Sequence, residues 1–103
     1  MYQIVLTTCP DKETGLAMAR TLVEEKLAAC INIIDNITSI YQWQGEMQQG
    51  TEVQLVIKTL ANNFDAVRDR INQLHSYEIA EILAVDIQKG DKHYLQWVSE
   101  SLA

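Results

Sequence analysis

The segment from Ala29 to Lys58 constrains the fold most, because it reads as strand almost throughout and is long enough to fold back on itself. Ala29-Cys-Ile-Asn-Ile-Ile34 is strand-like, Asp35-Asn36 interrupts it, and Thr38-Ser-Ile-Tyr-Gln-Trp43 resumes the pattern. Gly45 offers a turn, Glu46-Met-Gln-Gln49 a short returning strand, and Gly50 a further turn or bulge. From Glu52 to Lys58 the alternation is cleanest, with Val53, Leu55 and Ile57 on one face and Glu52, Gln54 and Lys58 on the other. A hairpin this long, centred on Tyr41 to Gln54, outruns what a small domain can cover. It is expected to join copies of the chain.

The flanking sequence completes two strand–helix–strand halves. Tyr2 to Cys9 reads as a buried strand with Tyr2, Ile4 and Leu6 on one face, and Pro10-Asp11 stops it. Asp11 is placed to cap a helix in which Leu16, Ala19, Val23 and Leu27 recur at helical spacing, ending near Lys26. After the hairpin, Asn62 or Asn63 caps a second helix carrying Phe64, Val67, Ile71 and Leu74, which ends around His75-Ser76. Ile82 to Ile87 is a largely buried strand, Gly90-Asp91 a turn and cap, and a closing helix has Tyr94, Trp97, Val98 and Leu102 on its apolar side. The order predicts an α+β, ferredoxin-like split βαβ domain over residues 1–103, with helices on one sheet face and the other face left for a partner.

Composition narrows the function classes. At 103 residues there is room for one domain, which buries roughly two-thirds of its unfolded surface, so association is a natural source of further burial. A net charge of −6 argues against nucleic acid and anionic membranes as partners. No apolar run approaches the roughly 18 residues that span a bilayer. Met1-Tyr2-Gln3 leads straight into strand sequence, which predicts no signal peptide and a cytoplasmic protein with Cys9 and Cys30 reduced.

Catalytic templates are absent: no phosphate-binding glycine loop, no nucleophile elbow and no paired-histidine zinc motif. Cys9 as a nucleophile would need His75 or His93 as a base through tertiary contact. Cys30 reads as a small buried hydrophobe. His75 ends a helix, where an imidazole meets unpaired carbonyls, and a metal there would need Glu81, Glu46 or a thiol to converge on it. Tyr41, Trp43 and Tyr77 flank polar turns and suit a core or interface, or ligand stacking. Lys58 is expected to pair across the hairpin with Glu46 or Glu52, or to bind a ligand.

Six segments in order resemble one family over essentially the whole chain: Val5 to Asp11, Glu25 to Ile31, Ser39 to Glu46, Glu52 to Thr59, His75 to Glu81 and Gly90 to Trp97. Together they are similar to the CutA divalent-cation-tolerance proteins. The resemblance implies a tight homotrimer akin to the nitrogen-regulatory PII proteins, a link to copper and other divalent cations, and no enzymatic activity. It implies an inter-subunit cleft lined by Cys30, Tyr41, Trp43, Glu46, Lys58, His75, Tyr77 and Glu81. Ser76 and Ala80 replace prolines common in relatives, and Thr7 and Arg70 stand where some relatives carry thiols. His75, Glu81 and Cys9 remain as expected metal contacts, with Lys58 as the contact for an anion. The alternative is a PII-like signalling or scaffold module recognising a metabolite or partner protein.

Overall fold

The computed structural model describes residues 1–103. In chain order it contains β1 (Tyr2–Cys9), α1 (Lys12–Glu24), β2 (Cys30–Trp43), β3 (Glu46–Leu60), α2 (Phe64–Leu74), β4 (Ile82–Asp86) and α3 (Lys92–Ser101), with a 3-10 turn at Ala61–Asn63. The strands form one antiparallel sheet in the order β2-β3-β1-β4. Each βαβ half therefore skips over a strand of the other, which is the expected split βαβ arrangement.

Directly paired residues share a face, so the register sorts the sheet. Val5 opposite Ile57, Thr7 opposite Leu55 and Cys9 opposite Val53 point into the core. There they meet Met18 and Leu22 of α1 and Val67 and Ile71 of α2, all essentially inaccessible to solvent. The expected inward set on β3, Val53, Leu55 and Ile57, is the one observed. On β1 the core-facing side chains are Val5, Thr7 and Cys9, whereas Ile4 and Leu6 take the opposite face with Lys58 and Val56.

Helix α1 starts where Asp11 accepts from the Thr14 backbone N–H at 2.8 Å. Its buried stripe is Gly15, Met18, Ala19 and Leu22, rotated from the expected Leu16, Ala19, Val23 and Leu27; Val23 faces solvent. Close packing at Gly15 sets that rotation, because a Cβ there would lie 3.1 Å from Val53 and 3.2 Å from Leu55. A glycine adds nothing to an apolar count, so periodicity alone favours the neighbouring stripe. Asn63 precedes α2 without capping it; its side-chain amide donates to the Thr59 hydroxyl instead.

The other sheet face is open. Strand β4 lies at the edge with Leu83 and Val85 half exposed rather than buried as expected, and Ile34 is 44% exposed. Helix α3 covers one end of this face, where Val98 is buried and the Tyr2 and Ser99 hydroxyls lie 2.6 Å apart. Tyr94 and Trp97 remain accessible.

Beyond the end of β1, β2 and β3 continue as a two-stranded arm. The molecule consequently measures 45 × 25 × 23 Å. The ladder runs unbroken through Ser39 opposite Gly50, so Gly50 is neither a turn nor a bulge. The Asp35-Asn36 interruption is a bulge inside one continuous strand: two residues oppose Val53 alone, and Asn36 takes φ 58°. The tip is a two-residue turn with φ 52° at Gln44 and 82° at Gly45, matching the right-handed twist of the flanking strands.

Candidate functional site

The bulge fixes what the arm presents. Before it, even-numbered residues of β2 (Cys30, Asn32, Ile34) pair with open-face residues of β3; after it, odd-numbered ones do (Ile37 with Glu52, Ser39 with Gly50, Tyr41 with Gln48, Trp43 with Glu46). One extra residue thus keeps Ser39, Tyr41 and Trp43 on the same side as Thr8 of β1 and Glu52 of β3.

A groove of about 770 Å³ forms where the arm leaves the domain. The arm contributes Ser39, Tyr41, Trp43 and Glu52, β1 contributes Thr8, and the segment from Ser76 to Glu81 closes the side. That segment has no helix or strand of its own, yet it is anchored. The Tyr77 backbone N–H donates to His75 Nδ1 at 3.1 Å, which leaves Nε2 to donate to the Thr8 carbonyl at 2.6 Å. The two rings lie 4.5 Å apart between centroids.

Glu52 is the centre of the polar network, and no role beyond the solvent face or a Lys58 pair was expected of it. The Tyr77 hydroxyl donates to its Oε2 at 2.7 Å. Partial burial pushes the Glu52 carboxyl up, but hydrogen bonds from Ser39, Tyr77 and Thr8 together with the nearby His75 outweigh it, so the net shift is downward. Burial first, and then the Glu52 carboxylate, push the Tyr77 phenol up, which keeps it a donor. The sequence signal for Glu52 was weak: an acidic residue immediately before a buried run, whose partners depend on a bulge-determined register.

The expected cleft residues separate within one chain. Tyr41, Trp43, Tyr77 and Glu81 line the groove, and His75 stands behind Tyr77. Glu46 lies at the tip of the arm, opposite Trp43. Cys30 and Lys58 pair at the far end of the sheet, where the Lys58 ammonium donates to Asn32 Oδ1 and lies 3.9 Å from Cys30 Sγ. Lys58 therefore meets neither Glu46 nor Glu52. All three lie on β3, and the six residue steps from Glu52 to Lys58 amount to about 20 Å.

The expected metal contacts do not converge. Cys9 is wholly buried with its thiol directed at Met18, and burial, then Asp11 and Glu52, push its pKa up to about 11. Both His75 nitrogens are engaged, and no three His, Cys, Asp or Glu side chains come close enough to hold an ion. The donor set of a single chain does not fit copper or another divalent cation.

Residues 3–101 match the family model of the CutA1 divalent ion tolerance protein. A Thermus thermophilus divalent-cation tolerance protein CutA is 43% identical over 101 residues, covering 98% of each chain. Human protein CutA is 42% identical over 93 residues, covering 90% of this chain; the match spans 52% of the human protein's length. A solved Thermus thermophilus Cut A1 structure superposes with a TM-score of 0.96 at 42% identity over the full length of both chains. An Archaeoglobus fulgidus periplasmic CutA structure gives 0.97 at 36% identity, again over all of both chains. A matching fold and a near-complete family match lead to one conclusion: this chain belongs to the CutA1 divalent ion tolerance protein family.

Proposed function

We propose that the protein acts in divalent-cation tolerance as a non-enzymatic homotrimer whose copies enclose a small-ligand cleft. The observation that carries this reading is the open sheet face, which runs without a break onto the arm. Only 16 of 103 residues are buried, while Leu83 and Val85 on that face, and Ile40 and Met47 on the reverse side of the arm, are each more than half exposed. That is a large uncovered apolar area for a chain with so small a core. The number three follows from the family resemblance, which implies PII-like trimers.

The non-enzymatic reading follows from the family, and the two residues weighed for catalysis are otherwise engaged. His75 is committed to the backbone, and the Cys9 thiol is sealed in the core. Direct binding of copper or another divalent ion enters this reading only as a site shared between copies, with Glu81 and Glu46 as accessible carboxylates. The two free thiols agree with a cytoplasmic location. A metabolite-recognition role similar to that of PII proteins is favoured by one feature: the groove is far larger than a bare ion needs and has aromatic walls.

Multi-angle light scattering is the direct test. A mass three times that of the chain is expected, falling toward the monomer when Leu83→Glu is introduced. A wild-type monomer at micromolar concentration would sink the proposal. Calorimetric titration with Cu(II) then asks whether a shared metal site exists, and Glu81→Gln should weaken any binding.

A further inference from the structure

The ring of His75 can hold its two partners in one protonation state only. A carbonyl oxygen cannot donate, so the 2.6 Å contact between Nε2 and the Thr8 carbonyl needs a proton on Nε2. A backbone N–H cannot accept, so the 3.1 Å contact from Tyr77 needs a bare Nδ1. The imidazole is therefore the neutral Nε2–H tautomer. A second proton has only Nδ1 to go to, where it would face the Tyr77 N–H with no acceptor between them. Charging the ring and keeping the Tyr77 backbone anchor exclude one another.

We propose that His75 is a proton-operated latch on residues 76–81: while neutral it holds Tyr77 against the groove, and when protonated it releases that wall. Its use as a control on ligand access rests on the groove being the ligand cleft of the homotrimer, but the latch contacts lie within one chain. Of the three anchors of Tyr77 the imidazole supplies two, the acceptor for its N–H and the ring beside its own, 4.5 Å away between centroids. The third is the hydroxyl bond to Glu52 at 2.7 Å, which does not involve His75. Residues 76–81 belong to no helix or strand, so losing two anchors loosens their backbone while the phenol stays tethered.

The groups around the ring give the charged form somewhere to turn. From β3 comes the Glu52 carboxylate, near enough for His75 to act on it. From β1 come the Cys9 thiol and, just beyond the strand, Asp11, whose charge acts on that thiol. The last turn of α2, Ile71 to Leu74, contributes no titratable group. Burial holds the Tyr77 phenol and the Cys9 thiol in their protonated forms, so the charges close to His75 are carboxylates. An imidazolium freed from the Tyr77 N–H is drawn toward Glu52.

The test is NMR on the intact nitrogen-15-labelled protein from about pH 8 to about pH 5, the span in which an imidazole ordinarily changes charge. Ring nitrogen shifts should show His75 as the Nε2–H tautomer at the upper end. On acidification the Tyr77 amide should shift with the midpoint of the ring. Its hydrogen exchange, corrected for the intrinsic pH dependence, should rise by about two- to tenfold. In Trp97→Phe, which leaves Trp43 as the one tryptophan, Trp43 emission should follow the same midpoint. His75→Gln, whose amide donates and accepts but does not titrate, should abolish these transitions, and His93→Gln at an exposed position should leave them. An Nδ1–H tautomer, a ring that stays neutral across the span, a ring that titrates without a response at Tyr77, or transitions surviving in His75→Gln would each overturn the inference. The tautomer and amide readouts use the wild-type chain, so they decide the matter even where His75→Gln fails to fold. Light scattering on the same samples separates the two levels: a monomer at about pH 8 defeats the homotrimer reading, whereas an intact trimer whose Tyr77 amide ignores the charge on His75 defeats the latch alone.

Discussion

Substituting Asn36 isolates what the β2 bulge costs. The residue is exposed, makes no side-chain hydrogen bond and sits at φ 58°, in the left-handed region. A change there acts almost wholly through backbone conformation. Asn36→Gly removes the Cβ that makes this region unfavourable while loosening the unfolded chain, and the two effects nearly cancel. Asn36→Val places a β-branched residue where a Cβ crowds the following carbonyl, costing about 1–2 kcal/mol. The strand has one escape, a slip of one residue that removes the bulge. Slippage would turn Ser39 away from Glu52, send Tyr41 and Trp43 to the other face, and shift Gly45 out of the position with φ 82°. Moving a residue with a Cβ into the place of Gly45 costs about as much as the strain the slip would relieve. The valine variant should therefore keep its register and lose stability. Urea unfolding at fixed protein concentration should place Asn36→Gly within about 0.5 kcal/mol of wild type and Asn36→Val about 1–2 kcal/mol below it. Trp43 emission, read in the Trp97→Phe background, should be the same in both. Equal midpoints for the two variants, or a shifted Trp43 emission in the valine variant, would refute the reasoning.

Three further outcomes follow from the core and the network. Thr7 is fully buried and its hydroxyl has no partner, so the nearly isosteric Thr7→Val should raise stability by about 1 kcal/mol, seen as a higher urea midpoint. Glu52 has a folded pKa below its ordinary 4.5, so its contribution is present above that value and lost as pH falls through the lower folded one; Glu52→Gln should flatten the acid limb of a stability–pH curve. Cys9 runs the opposite way. Its thiol stays protonated in the fold up to about 11 against 9.0 when unfolded, so stability should fall as pH rises through that window, and less so in Cys9→Ala.

The parts of the fold that depend on local patterning were legible from the sequence. Val53, Leu55 and Ile57 alternate because one face of β3 is buried along its length, and Asp11 caps α1 through a bond made within one turn. What escaped depends on contacts between distant residues. The inward face of α1 turns on Gly15 against Val53 and Leu55, and a missing side chain leaves no hydrophobic trace. Ile82 to Ile87 looks like a buried strand because its residues are apolar on both faces, yet one copy leaves it at an edge. The groove was half visible. Tyr41, Trp43, Tyr77 and Glu81 stood out by type, but Glu52 could be placed among Ser39, Thr8 and Tyr77 only once the bulge had set the register.

Strand β4 also bears on how the protein must be made. Its outer edge offers a row of unpaired peptide groups beside half-exposed Leu83 and Val85, with no proline or lysine between Ile82 and Asp86 to blunt it. A lone copy newly released from synthesis is therefore a template for any strand it encounters. Rotational closure consumes such edges, whereas stacking without closure propagates them. If the copies close as proposed, assembly and aggregation compete for the same freshly folded chains, and the outcome depends on whether the next copy arrives in the orientation that closes the ring. In the proposed homotrimer the arm, reaching well beyond its own domain, would bias that encounter by engaging a neighbour before the edges meet.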